Sequence, residues 1–210
     1  MASVKLTKNE LKNQKDALKM YRRYLPTLTL KKQQLQAEIF AIRAKAAAVR
    51  KAREDLERGF EAWIAVFSEQ AAFPQGVVTV RNIRRGEGNI AGVAIPTYEG
   101  ADFSRGDYDL YETPLWVDMA ANHMEKALSL DLEAEVLEEQ VRLLEVELRA
   151  TSQRVNLFEK VKIPETEENI RKISIYLSDQ QVNAVVRSKI AKRKIAARND
   201  AASERQVASL

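Results

Sequence analysis

The chain has 210 residues, of which 30% are charged, 7 are glycine, one is histidine and none is cysteine. These numbers exclude disulfides, thiol nucleophiles and cysteine-based metal sites, and a lone His123 leaves no His/Cys cluster for zinc. The richness in Ala, Leu, Glu, Lys and Arg is typical of long helices and coiled coils. No apolar run approaches the roughly 18 residues that span a bilayer, and the N-terminus lacks the apolar core of a secretory signal, so we expect a soluble, cytoplasmic chain.

A first long helix is predicted over residues 1–72. Thr7 and Glu10 form a capping-box pattern at its start, in which each side chain satisfies a free amide of the first turn. The following residues repeat with a heptad period, which is a strong coiled-coil signal. One heptad position holds Leu11, Leu18, Leu25, Ile39, Ala46, Phe60 and Phe67, and the position three residues later holds Tyr21, Leu28, Leu35, Ile42, Val49, Leu56 and Trp63.

Residues 73–114 form an insert of different character, which contains most of the glycines. Two β-prone runs, 77–83 and 90–95, flank the turn-rich segment 84–89 and predict a β-hairpin. Pro96 is expected to end the second strand, and residues 97–111 to form an irregular loop. Gly86-Glu87-Gly88 lacks the Lys-Ser/Thr of a P-loop and the helix that follows one, so we expect a turn here and no bound nucleotide or other cofactor.

A second long helix is predicted over residues 115–198, with a frayed tail over 199–210. Thr113 is a suitable cap and Pro114 suits the first helical position. The heptad seam runs through Leu130, Leu137 and Leu144, continues after Pro164 to Leu177, and weakens toward Val182, Val186 and Ile190. His123 has no partner nucleophile, and we expect it to be structural or solvent-facing.

The two apolar stripes each need a partner, so the helices are expected to fold back as an antiparallel two-helix coiled coil with the hairpin at one end. The fold class is therefore mainly α. Charge supports this pairing, because acidic residues 131–147 then lie beside basic residues 43–58. Pro26 opposite Pro164 would place both helix interruptions in one kink, with Ala46 facing Leu144 and Lys5 facing Val185.

Several local sequences resemble the D subunit family of V-type and archaeal-type ATPases over nearly the whole chain. They are Thr7-Lys8-Asn9-Glu10-Leu11, Leu28-Thr29-Leu30-Lys31-Lys32-Gln33-Gln34-Leu35, Asn89-Ile90-Ala91-Gly92-Val93-Ala94-Ile95-Pro96, Glu112-Thr113-Pro114-Leu115 and Arg154-Val155-Asn156-Leu157-Phe158-Glu159. Ile163-Pro164 and the basic residues Arg187, Lys189 and Lys192 complete the resemblance.

The resemblance implies a non-catalytic rotor shaft that couples ATP hydrolysis or synthesis to H⁺ or Na⁺ transport. Its implied partners are the A and B subunits of the catalytic hexamer, the F subunit of the central stalk and a cup-shaped subunit above the membrane ring. Candidate hexamer contacts are Lys5, Lys8, Arg187, Lys189, Lys192, Arg193 and Lys194. Candidate lower-stalk contacts are Trp63, Arg81, Ile83, Ile90, Val93, Ile95 and Trp116.

Other interpretations remain open at this point. The C-terminal bases also fit a solvated helix face, and they fit a nucleic-acid site less well because no aromatic residues are interleaved with them. Heptads alone are equally consistent with an unrelated coiled-coil scaffold or adaptor. Trp63 and Trp116 fit internal packing as well as partner contact.

Overall fold

The structure is a computed structural model that describes residues 4–67, 76–107 and 116–207, with side chains described for 4–60, 76–107 and 116–199. In chain order the elements are α1 (Lys8–Phe67), β1 (Val78–Ile90), β2 (Val93–Arg105), α2 (Trp116–Leu157), a π-helical turn (Phe158–Lys162) and α3 (Ile163–Val207). The predicted boundaries at 72/73 and 114/115, and the cap at Thr113 and Pro114, lie outside the described residues. The backbone is helical through Val207, beyond the predicted start of the frayed tail.

The N-terminus of α1 carries half of the predicted capping box. The hydroxyl oxygen of Thr7 accepts a hydrogen bond from the Glu10 amide at 3.2 Å. Glu10 does not return the contact, because its carboxylate accepts from Gln14 at 2.8 Å and the Thr7 amide donates to the Lys5 carbonyl at 3.0 Å. One side chain therefore caps this helix end.

The chain divides into two compact units, residues 28–154 and residues 4–27 with 155–207 among those described. In the first unit, the packed core contains Leu35, Ile39, Ile42, Leu144 and Ile95. The first four belong to the predicted heptad seams. Their burial confirms that α1 and α2 pair through these apolar stripes.

Ion pairs across this seam show that α1 and α2 are antiparallel. Arg43 pairs with Glu145, and Arg50, seven residues later, pairs with Glu138, seven residues earlier. Arg53 also contacts Asp131 at 3.1 Å. The predicted juxtaposition of basic 43–58 with acidic 131–147 is confirmed. The mainly α fold, with an antiparallel coil and a small hairpin, is confirmed as well.

The hairpin differs from its prediction in length and in the place of its turn. Both strands have 13 residues, and the chain reverses at Ala91 and Gly92, with φ of 51° and 82°. Two successive residues with positive φ are typical of a type I′ turn, which matches the twist of a hairpin. The side-chain oxygen of Asn89 accepts from the Gly92 amide at 3.0 Å. The prediction of a turn over 84–89 is therefore wrong.

Pro96 also lies inside β2, paired with Glu87, and does not end the strand as predicted. Proline is tolerated here because a two-stranded sheet has only edge strands, where one amide need not enter the ladder. Much of the predicted loop 97–111 is consequently strand, as far as Arg105. Irregularities interrupt the pairing between Val80 and Asn82 and between Arg84 and Arg85.

The hairpin packs along α2. The buried Gln140 side chain donates to the Pro96 carbonyl at 2.5 Å, and the Tyr98 and Ser129 hydroxyls lie 2.9 Å apart. Arg105 donates to Glu125 at 2.7 Å. The expectation that the hairpin sits at the end of the paired helices is therefore wrong, because Ile95 reaches the core formed by Leu35, Ile39, Ile42 and Leu144.

In the other unit, α1 pairs with the residues around the π-helical turn and with α3. The rings of Tyr21 and Phe158 lie 5.1 Å apart between centroids, and Arg22 contacts Glu167 at 2.6 Å. Ile173 is fully buried. No helix among the described residues is long and apolar enough to cross a membrane.

Candidate partner-binding surfaces

Among the residues whose side chains the structure describes, the most exposed helical stretch is the end of α3. Every described side chain from Ser178 to Asn199 is exposed. Val182, Val186 and Ile190 are 59%, 48% and 49% exposed. The prediction that these three extend the seam is therefore wrong, because none of the described residues covers them.

This end of α3 presents apolar and basic side chains together. Val182, Val186 and Ile190 share one helical face because they are spaced by four residues. Lys189 and Arg193 fall beside them on that face. All the predicted hexamer contacts in this segment are exposed: Arg187, Lys189, Lys192, Arg193 and Lys194. An uncovered apolar stripe flanked by cations is typical of a surface that binds a partner.

Lys5 and Lys8, the other predicted hexamer contacts, are also exposed and lie just before and at the start of α1. Val185, the residue predicted to face Lys5, is 54% exposed. The side chains on both sides of that predicted pairing therefore face solvent.

The predicted lower-stalk contacts fall into two groups. Ile95 is 5% exposed and lies in the core, and Ile90 and Val93 are partly buried against it. These three side chains stabilise the docked hairpin, so they offer little surface to a partner. The sequence did not predict this, because the alternating pattern of a half-buried strand does not show whether its apolar face packs on the same chain or on a partner.

The remaining predicted lower-stalk contacts differ in how exposed they are to a partner. Arg81 is exposed at an irregularity of β1, while Ile83 and Trp116 are half-buried. The side chain of Trp63 lies outside the described residues. Arg81 is therefore the member of this set that is best placed to contact a partner.

A groove of about 380 Å³ lies between the C-terminal part of α1 and the start of α2. Phe60 and His123 meet in it, with ring centroids 4.9 Å apart, and the His123 Nδ1 atom is buried with no hydrogen-bond partner among the described residues. The packing of His123 on Phe60 fits the predicted structural role. Heptad reasoning predicted Phe60 as a seam residue but gave no sign of the groove.

Arg53 borders the same groove. Its hydrogen bond to Glu57 raises the pKa of the guanidinium above an already high value, and Asp131 adds to the effect. A group that stays charged cannot exchange protons in a reaction. Among the described residues there is also no His/Cys/Asp/Glu cluster suited to a metal ion.

Pro26 lies inside α1, and Pro164 follows the π-helical turn at the start of α3. The Tyr21–Phe158 and Arg22–Glu167 contacts bring the segments around the two prolines together. A shared kink remains a prediction.

Together these features define a class of protein: long antiparallel helices that carry a docked β-hairpin and leave one basic, partly apolar helix end uncovered. Comparison with known proteins identifies the family. The family model for the D subunit of ATP synthase matches residues 10–193. The chain is 46% identical over 199 residues to the D subunit of a V-type ATP synthase from Borreliella burgdorferi, covering 95% of this chain and 98% of the relative.

Two chlamydial proteins with the same name are also similar. The one from Chlamydia muridarum is 39% identical over 197 residues, covering 92% of this chain and 97% of its own length. The one from Chlamydia felis is 36% identical over 206 residues, with coverage of 95% and 97%. This chain belongs to the D subunit family of V-type ATP synthases and is part of a rotary ATPase.

Proposed function

We propose that this chain is the central rotor shaft of a V-type ATPase or ATP synthase. The end of α3 enters the hexamer of A and B subunits, and the shaft couples nucleotide turnover there to H⁺ or Na⁺ transport. The chain catalyses nothing itself. The F subunit and a cup-shaped subunit above the membrane ring bind other parts of it, so that it lies in the cytoplasm, peripheral to the membrane.

The observation that carries this proposal is the exposed end of α3. Val182, Val186 and Ile190 are about half exposed or more, with none of the described residues packed on them. Burying apolar surface is worth about 25 cal/mol per Å², so a protein that surrounds such a helix stabilises it. The adjacent cations favour a surrounding surface that presents carboxylates or backbone carbonyls.

The paired segments support a mechanical role. Leu35, Leu144 and Ile173 are fully buried, so each seam excludes solvent at these levels. Packed interiors resist deformation, so torque is carried through them. Exposed pairs such as Arg43–Glu145 add a fraction of about 1 kcal/mol each and mainly select the antiparallel direction.

An asymmetric shaft also explains how a non-catalytic chain controls catalysis. Three equivalent catalytic sites adopt different states if the shaft contacts each of them differently, because a ligand shifts an equilibrium by its differential affinity for the states. The coupling is reciprocal, so nucleotide binding in turn favours one shaft orientation. The exposed apolar stripe of Val182, Val186 and Ile190 lies on one face of the α3 end and provides such an asymmetry.

The test replaces the apolar stripe without touching the packed seam. We expect the V182S/V186S/I190S variant to bind an A/B hexamer about a hundredfold more weakly, since each lost burial costs about 1 kcal/mol. Affinity is measured by titrating hexamer against labelled, purified variant. The Q181S/N183S/S188A variant, altered at exposed polar positions of the same segment, should bind like the parent.

Two further measurements separate this proposal from its alternatives. Both variants should retain the melting temperature of the parent and a one-to-one complex with the F subunit. A folded parent chain that binds neither the hexamer nor the F subunit contradicts the rotor role and favours an unrelated scaffold. Tight binding to DNA that weakens steeply with salt would favour the nucleic-acid alternative.

A further inference from the structure

One side of α3 is marked by buried side chains. Thr166 is 5% exposed, Ile173 is fully buried and Leu177 is half-buried. Spacings of seven and four residues place these three on one side of the helix, which we call the covered face. Every described side chain of α3 after Leu177 is exposed, so the covered face loses its cover there.

Large apolar side chains continue on the opposite side of α3. Each residue of the covered face is followed nine positions later by an exposed apolar residue: Thr166 by Ile175, Ile173 by Val182 and Leu177 by Val186. Nine residues make two and a half turns of an α-helix, so these residues lie on the reverse side of the helix. Ile190 follows one turn after Val186. We call this set of four residues, which are about half exposed, the outer face.

The positions that continue the covered face beyond Leu177 differ in character. They hold mainly small or polar residues, namely Gln180, Ala184, Arg187 and Ala191. Ile195 is the exception and is 60% exposed. The apolar stripe of the α3 end is therefore not a continuation of the seam but lies on the side turned away from it.

The level at which α1 begins explains why the α3 end has no cover. Arg22 contacts Glu167 at 2.6 Å, and α1 begins at Lys8, so in an antiparallel pair the start of α1 lies near the level of residue 181. The backbone of α3 is helical as far as Val207. At 1.5 Å per residue, α3 thus runs roughly 40 Å past the start of α1.

The same stretch carries charge of one sign. No acidic residue occurs between Asp179 and Asp200. The interval holds six bases: Arg187, Lys189, Lys192, Arg193, Lys194 and Arg198. Lys189 and Arg193 follow Val182 by two and three turns and so lie on the outer face. Charge complementarity therefore favours a partner surface that combines apolar groups with carboxylates.

We infer that the hexamer of A and B subunits binds the α3 end chiefly through the outer face, on an apolar surface that carries carboxylates. The contact includes Ile175, which lies on the outer face at a level where the opposite side of α3 is still buried. The shaft thus contacts the hexamer more closely on one side, which distinguishes three otherwise equivalent catalytic sites. This inference rests on the proposed rotor function and specifies the surface that performs it.

The first test compares three single variants of the full chain: I175S, I190S and I195S. The three isoleucines are 52%, 49% and 60% exposed, so the variants should keep the melting temperature of the parent. We expect I175S and I190S to bind an A/B hexamer about fivefold more weakly, because each loses apolar burial in the complex. I195S, the matched control from the other side of the helix, should bind within about twofold of the parent. Equal losses in I190S and I195S, or no loss in I175S, overturn the inference.

The second test compares two cysteine variants, V182C and A184C, since the parent chain contains no cysteine. Both positions are exposed, and they lie on opposite sides of the helix, so a maleimide should label them at similar rates in the isolated chain. At saturating hexamer, we expect labelling to slow at least about tenfold for V182C and less than about threefold for A184C, because the core of an interface excludes water.

The outcomes separate the one-sided contact from the rotor function. A parent chain that binds the hexamer, with labelling of V182C and A184C slowed alike, keeps the rotor function and contradicts only the one-sided contact. A parent chain that does not bind the hexamer contradicts the rotor function, and the inference that names the hexamer is then wrong as well.

Discussion

Ile39 and Phe40 are neighbours in α1 with opposite environments. Ile39 is 6% exposed in the core with Leu35, Ile42 and Leu144, whereas Phe40 is 77% exposed. The heptad pattern assigns Ile39 to the seam and Phe40 to the position after it. Side-chain size thus says less about energetic importance here than helical phase does.

Truncation of these two residues should therefore have unequal effects. We expect Ile39→Ala to lower the free energy of unfolding by about 2–5 kcal/mol, because it leaves a cavity in a packed core. Phe40→Ala should change it by no more than about 0.5 kcal/mol. Urea unfolding of both variants measures the difference, and similar losses would show that α1 faces its partner through another side.

Other buried residues could not be predicted from heptads. Gln140 is 6% exposed although it lies off the seam, because its side chain bonds to the hairpin at Pro96. The heptad pattern of α2 does not indicate that the hairpin covers this residue. In the same way, the exposure of Val182 and Ile190 follows from the lack of a covering partner among the described residues, which their own spacing does not reveal.

At the scale of elements, the hairpin was predicted to exist but not with its correct turn. The turn was predicted at residues 84–89 because Gly86 and Gly88 are typical turn residues, yet both lie in β1. A Cβ atom at Gly88 would lie 3.2 Å from a Thr97 carbon and 3.3 Å from an Ile95 carbon, so glycine there permits close approach of the strands. The sequence did not predict the turn at Ala91 and Gly92, because alanine rarely adopts the positive φ that Ala91 has here.

The docking of β2 on α2 should depend on pH through Glu125. Hydrogen bonds from Arg105, at 2.7 and 3.1 Å, hold the pKa of Glu125 below its ordinary value of 4.5 despite partial burial. A carboxylate with a lowered folded-state pKa stabilises the fold above its unfolded pKa and loses that effect as the pH falls. The ion pair therefore contributes at neutral pH and disappears in acid.

We expect Glu125→Gln to be less stable than the parent at pH 7 by up to about 1 kcal/mol. The gap should shrink as the pH falls below about 4.5 and close once it has passed the lowered pKa of the folded-state carboxylate, where the parent is protonated as well. Denaturant unfolding across this range measures it, with Glu135→Gln at an exposed site of α2 as the control. A gap of the same size at pH 7 and pH 3 would contradict the role given to the Arg105–Glu125 pair.

For the molecule as a whole, the sequence was sufficient to predict the pairing direction. The alternation of basic and acidic blocks predicts antiparallel helices, and Arg43–Glu145 and Arg50–Glu138 confirm it. The register was harder to predict, because a heptad seam shifted by one turn buries similar surface. Leu144 lies in the core with Ile39 and Ile42, while Ala46, its predicted partner, borders a surface depression with Val141.

The chain contains no cysteine, so one introduced cysteine gives a unique attachment point for a rotation probe. Ala94 is exposed in β2, and an A94C variant can carry a bead while the A/B hexamer is fixed to a surface. The rotor account predicts that the bead turns in one direction when ATP is added and stops when ATP is removed. A bead that stays fixed while the same complexes hydrolyse ATP would contradict it.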